Sequence, residues 1–336
     1  MQASGTTASL RGIFSVDGSV AWASGSEGTV LHTVDGGQHW QRCAVPDAAT
    51  DGATLDFRGV QAWDADTAIV MASGPGEKSR LYKTIDGCRT WTLNLANEEK
   101  DGFWDTIVFQ NGNYGFAIGD RHTGVVIGDP VKGKFQTRVM LLGHGWFIDD
   151  AGCDALAGQA AFAASNSSVF IFGSRRYVIG TGGKAGASVL ISPLLLTGVA
   201  DDPCTRVSVP MAGGTESSGI FSLGFRNLHM GIAVGGDYTK PNESAGTAAY
   251  TLDGGLHWVA TKTSPHGYRS AVQWWEQEKL WITVGTNGSD VSRDDGRTWQ
   301  RLDDGNWNAL SLPFVVGPKG RIARMDPRVL GRVARK

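Results

Sequence analysis

Three arginines, Arg11, Arg58 and Arg269, each stand at the start of a short β-rich run. If those runs converge, three guanidiniums meet at one mouth and repel one another unless an anion or carboxylates meet them. Their planar forks of donors suit a carboxylate or a phosphate. The competing reading is local, with each arginine tying down a neighbouring acid such as Asp56, Asp105 or Asp304. Trp104 and Tyr238 fall near the same end and would add apolar area to a bound segment. Tyr268, Glu216 and Asp105 suggest a second chemistry, a hydroxyl and carboxylates in nucleophile and acid roles. Against a shared pocket, Tyr268 directly precedes Arg269, and neighbours on a strand point to opposite faces. His122 and His266 are isolated, and no HxH or HExxH occurs. Thr181–Gly186 lacks the glycines and the following helix of a phosphate loop. No metal and no cofactor is expected.

The elements that must position these residues are set by a repeat. Four segments share the pattern Ser/Thr-x-Asp-x-Gly-x-(Thr/His)-Trp: Thr33–Trp40, Thr84–Trp91, Thr251–Trp258 and Ser292–Trp299. The gap between Asp86 and Asp253 leaves room for two further, decayed repeats. In the first repeat, Arg11–Val16, Val20–Ser24, Thr29–Thr33 and His39–Cys43 read as four short strands, with the motif as the tight turn before the last. Runs equivalent to the first strand begin at Phe57, Phe103, Gln159, Gly219, Tyr268 and Trp307. The spacing therefore predicts an all-β, seven-bladed β-propeller of four-stranded antiparallel blades. Blades are expected near 10–43, 57–94, 103–140, 158–210, 219–260, 268–302 and 307–326, in one domain spanning 1–336 with a basic tail at 327–336. The last blade lacks a motif and a fourth strand, so the residues before Arg11 are expected to pair there and close the ring. Strand starts and motif turns must sit at opposite ends of each blade. The long loops, Gly74–Arg80 and Gly235–Gly246 among them, share the end with the arginines, where binding usually resides.

These motifs are identified as those of the bacterial neuraminidase repeat, or Asp-box, class. Turn chemistry accounts for every restricted position, so Asp35, Asp86, Asp253 and Asp294 read as structural, with Trp40, Trp91, Trp258 and Trp299 packing between blades. Sialidases of that class hold a carboxylate with an arginine triad and use a Tyr–Glu nucleophile pair and an Asp acid. That resemblance implies a glycoside hydrolase alternative on Tyr268, Glu216 and Asp105. The run FRGV, Gly219–Arg226, Gly231–Tyr238, Gly267–Ser270 and Val316–Arg324 resembles the photosystem II stability/assembly factor-like proteins. That likeness covers about Leu10 to Met325. It implies a non-catalytic binding scaffold that contacts a protein partner, such as a membrane-protein segment, through an arginine-bearing face. It also implies export to a periplasm or thylakoid lumen, with the cytoplasm as the alternative.

Composition is consistent with this reading. The chain has 336 residues, 47 of them glycine, yet no G-X-Y period, and 41% hydrophobic residues exclude a disordered chain. The formal charge of -2 points to no nucleic acid partner. No apolar run reaches the roughly 18 residues of a membrane span, and Met1–Gly5 shows neither region of a signal peptide. A monomer is expected. Cys43, Cys88, Cys153 and Cys204 have no CxxC spacing and permit three pairings, with free thiols equally compatible; Cys88 reads as a small residue in a glycine position.

Overall fold

The computed structural model describes residues 1–47, 49–98, 100, 102–110, 114–120, 124–128, 138–140, 142–143, 145–146, 156–172, 176–192 and 204–328. His122, Arg175, Cys153, most of the Ser192–Cys204 insertion and the tail beyond Arg328 lie outside them. The described chain is all-β, with antiparallel sheets and two 3-10 turns, Gly52–Thr54 and Gly76–Lys78.

Most of the sheets are meanders in which each strand pairs with its predecessor. The first comprises Leu10–Ser15, Ala21–Gly25, Val30–Thr33 and Gln41–Arg42. The second comprises Phe57–Ala62, Ala68–Ala72, Arg80–Thr84 and Thr92–Ala96, and the third Phe103–Gln110, Tyr114–Asp120, Gly124–Gly128 and Arg138–Met140. Ala271–Trp275, Leu280–Gly285, Gly288–Ser292 and Gln300–Asp303 form another. Ala309–Ser311, Phe314–Gly317 and Arg321–Arg324 form a three-stranded one. Between them, the meanders around Arg176–Gly183 and Ser218–Phe225 are joined at the single pair Gly182 and Gly219. First strands touch in succession: Leu10–Ser15, Phe57–Ala62, Phe103–Gln110, Val169–Phe172, Ser218–Phe225, Ala271–Trp275 and Ala309–Ser311, which returns to Leu10–Ser15. The sheets therefore stand around a common axis.

Side chains of the first strands tie neighbours together. Gln61 donates to the Phe109 carbonyl and accepts from its N–H, both at 2.8 Å. Asn308 donates to the Leu10 carbonyl at 2.8 Å, and the Ser311 hydroxyl accepts from Ser15 N–H at 2.9 Å. Such side-chain bridges satisfy backbone groups that a sheet edge leaves unpaired.

The four motif turns share one hydrogen-bond set. In the first, Thr33 donates to Asp35 at 2.9 Å and accepts from Gly37 N–H, while Asp35 accepts from His39 N–H at 3.0 Å. Thr84 and Asp86, Thr251 and Asp253, and Ser292 and Asp294 repeat it. Each turn's tryptophan reaches the preceding sheet: Trp40 meets Phe314 edge-on at 5.8 Å, and Trp91 donates to the Ala44 carbonyl at 2.9 Å. Trp258 packs with Val189 and Ile191, and Trp299 with Met230 and Ile232.

Two expectations are corrected here. The run from Gln159 is not one continuous strand. Only Gln159–Ala160 and Val169–Phe172 pair with Arg176–Gly183, and the serines between them bond elsewhere. Ser165 donates to the Ser270 carbonyl at 2.6 Å, Ser167 to Ser222 at 2.7 Å, and Asn166 accepts from Ile107 N–H at 2.7 Å. Short polar side chains that capture backbone groups divert a chain from a ladder. Cys88 is not an isolated small residue, because it forms a disulfide with Cys43, with Cα atoms 5.3 Å apart. Cys204 is disulfide-bonded as well. Cys88 holds φ at +63° in a position filled by glycine in the other three turns, so the cross-link sits on a backbone that side chains seldom adopt.

The amino-terminal segment reaches the three-stranded sheet. Gln2 N–H donates to the Ile322 carbonyl at 2.8 Å, and the Gln2 side chain bonds the Gly36 carbonyl and accepts from Trp40.

Candidate functional site

A cavity of about 460 Å³ opens where the first strands begin. Its wall follows from a recurring irregularity. In four of these strands the register slips by one residue, at Arg11, Arg58, Asp105 and Phe221. A bulged residue is turned out of the pleat, and all four line the cavity.

The same frame explains why two expected residues are absent from the wall. A Cβ added at Gly285 would lie 2.0 Å from the Tyr268 carbonyl oxygen, as one at Gly25 would lie 2.2 Å from that of Ser9. Tyr268 thus corresponds to Ser9, Arg269 to Leu10, and Ser270 to Arg11. Leu10, Phe57, Trp104, Ile220 and Arg269 occupy one inward position, each 0–1% exposed. Trp104 is therefore core, packed with Ile69 and Met71, and adds no area to the cavity. Arg269 stands in a core position too, and its guanidinium is met there. It donates to Asp290 from Nε at 2.7 Å and also from Nη2, and from Nη1 to Asn287 at 2.6 Å, with His266 alongside. Burial lowers its pKa from the ordinary arginine range, which Asp290 opposes. The triad is thus reduced to two arginines, and the partner of Arg269 is Asp290 rather than Asp304.

Arg11 and Arg58 share one carboxylate. Asp56 lies 3.4 Å from Arg11 Nε and 2.8 Å from Arg58 Nε. Arg58 also donates to the Ala163 carbonyl at 3.2 Å and lies over Phe103, 5.8 Å from its centroid. Arg11 is held by Asp56 at longer range, and burial lowers its pKa while Asp56 opposes. Two guanidiniums thus share Asp56 on this wall, and Asp105, at the equivalent bulge of the third sheet, brings a second carboxylate to the cavity.

The opposite wall is aromatic. Phe162 and Phe221 stack at 4.0 Å, Tyr268 meets Phe221 edge-on at 4.9 Å, and Tyr238 meets it at 6.1 Å. Tyr238 is exposed at the rim. Burial raises the pKa of the Tyr268 hydroxyl well above its ordinary value. Asp105 lines the cavity and is buried. Glu216 does not reach it and pairs in solvent with Lys184 at 2.7 Å. The Tyr–Glu pair and arginine triad of the hydrolase alternative are therefore not assembled. Phe103, Phe162 and Phe221 went unassigned in the sequence because their role depends on the bulges and on the irregular Ala161–Ser168 segment. That segment also floors the cavity: Ala163 and Ala164 face it, while Ser165–Ser167 face a second cavity of about 540 Å³ at the other end. Among the described residues no cluster of His, Cys, Asp or Glu could hold a metal.

Antiparallel meanders around an axis, with a cavity at one mouth, define the β-propeller class. The comparisons agree. The chain superposes on the structure described as YCF48 bound to D1 peptide with a TM-score of 0.63 and 16% identity, covering 97% of this chain and 96% of that one. YCF48 from Cyanidioschyzon merolae gives 0.64 and 19%, covering 96% and 97%. The WD40 repeats of RRP9 give 0.58 and 12%, covering 94% and 92%. Neither protein-family models nor curated proteins match the chain. At these identities the likeness is one of fold, and it is the β-propeller fold of YCF48, the photosystem II assembly factor.

Proposed function

We propose that the chain is a seven-bladed Asp-box propeller acting as a non-catalytic, monomeric scaffold that holds an acidic peptide segment of a partner protein at its first-strand mouth. The observation that carries the reading is the two-sided cavity. Arg11 and Arg58 offer guanidinium donors on one wall, and Phe162, Phe221, Tyr238 and Tyr268 offer apolar area on the other. Such a site suits a segment that brings a carboxylate beside an apolar side chain. A protein of the same fold has been solved with a peptide bound. The succession of first strands and the Gln2 bridge support a ring of seven closed by the amino-terminal segment. The disulfides support residence in an oxidising compartment, hence an exported protein.

The test is anisotropy of fluorescent peptides, acidic with an aromatic residue against the same peptides with lysine for glutamate. The acidic set binds, and Arg11→Glu with Arg58→Glu weakens it at least about tenfold, some 1.4 kcal/mol, without lowering the melting temperature. Equal binding of both sets, or unchanged binding by the double variant, overturns the reading.

A further inference from the structure

Total charge does not make the mouth selective for an acidic segment. Arg11 and Arg58 share it with the carboxylates of Asp56 and Asp105. Preference for a carboxylate must then come from the direction in which donors point, because a guanidinium recognises it through a planar fork. Only one of the two forks is fixed in advance. Arg58 is held on three sides: Nε donates to Asp56 at 2.8 Å, Nη1 donates to the Ala163 carbonyl at 3.2 Å, and the group lies over the Phe103 ring. Among the described residues Arg11 has only the 3.4 Å approach of Asp56.

The Ala163 carbonyl belongs to a stretch outside the paired strands, with one face on the mouth cavity and the other on the second cavity. Asn166 stands at its tightest point. It holds φ at +59°, a left-handed conformation that asparagine tolerates better than most side chains. Its Oδ1 accepts from Ile107 N–H at 2.7 Å, and a Cβ added at Gly59, the residue after Arg58, would lie 2.9 Å from that oxygen. Gly59 thus leaves the space in which Asn166 wedges between the second and third sheets. Ser165 and Ser167 anchor the same stretch on two other sheets, at the Ser270 carbonyl and at Ser222.

We infer that Asn166 is a positioning residue of the mouth: by pinning this stretch it aims the Ala163 carbonyl at Arg58, and so sets the preference for a carboxylate-bearing segment over a neutral one. The inference rests on the peptide-holding reading above. Asn166 lines the second cavity and not the mouth, so it acts on a bound segment only through Arg58. Without the Ala163 contact, the guanidinium must be ordered anew at each binding event, at a cost set by its rotamer freedom.

The test is a double-mutant cycle followed by anisotropy, with an acidic peptide and the same peptide carrying glutamine for glutamate. The unaltered chain prefers the acidic peptide. Asn166→Gly, which tolerates the positive φ and removes the acceptor, narrows that preference roughly fivefold and leaves the Kd of the glutamine peptide where it was. Asn166→Asp keeps the acceptor and retains the preference. In an Arg58→Ala background Asn166→Gly changes nothing further, a result that general loosening of the fold does not give. Should Asn166→Gly fold poorly, Ser165→Ala, which loses the bond to the Ser270 carbonyl, takes its place in the cycle. An undiminished preference in the variant that folds, or an equal loss with and without Arg58, overturns the inference while the peptide-holding reading stands. Absence of any preference in the unaltered chain overturns both.

Discussion

Arg269 shows how one residue of register separates a ligand-facing cation from a core one. Arg11 and Arg58 sit on bulges and face a cavity, whereas Arg269 replaces a leucine or phenylalanine of the equivalent position and needs Asp290, Asn287 and His266 around it. A buried guanidinium without such partners would be strongly destabilising. The turn aspartates are the other residues whose charge matters. The side chain and backbone of Thr90 hold the Asp86 carboxyl at about 2, below its ordinary 3.8. Because the folded value is the lower one, the stabilisation is complete above pH 3.8 and lost as pH falls through about 2. Thr90→Val removes one of those hydrogen bonds, so the acid-unfolding midpoint followed by circular dichroism should move to higher pH. An unchanged midpoint would remove Asp86 from the acid response.

At the scale of the elements, each sheet is short and is held to its neighbour by a few directed contacts. Gln61 bridges the second and third sheets, Trp91 and the Cys43–Cys88 disulfide bridge the first and second. Cys88 lies in the second motif turn, so the cross-link also fixes that turn's tip. Its loop spans 45 residues, for which chain entropy gives roughly 4 kcal/mol. Replacing both cysteines by serine should lower the unfolding free energy by an amount of that order, measured in urea, while peptide binding at the distant mouth persists. Equal stability of the two forms would show that the packing around Trp91 suffices.

For the molecule as a whole, the decisive contact joins its two ends. Arg321–Arg324 is the outer strand of a three-stranded sheet, and Gln2 bridges to it while bonding the Gly36 carbonyl of the first sheet. An open strand edge is a site for unwanted pairing. Deletion of residues 1–9 should therefore lower the melting temperature and promote aggregation, read by calorimetry and light scattering. A monodisperse deletion variant with an unaltered melting temperature would show that the ring closes without them.

Much of this was written in the chain. The motif residues Thr33, Asp35 and Trp40 and their three repeats specify turns through local hydrogen bonds, so their positions determined the sheets and the ends of each sheet. The order of the short runs relative to each motif determined which strand comes first in each sheet. What tertiary structure alone decided was register and neighbourhood. A bulge adds one residue without leaving a mark in composition, so Trp104 and Arg269 aligned with Arg11 in the sequence and with Leu10 in space. Ala161–Ser168 left its ladder because serine and asparagine found partners on other strands. Cys88 found Cys43 because two sheets bring them within 5.3 Å. Local patterns carry local hydrogen bonds; which distant groups meet depends on packing, and that is where the cavity was made.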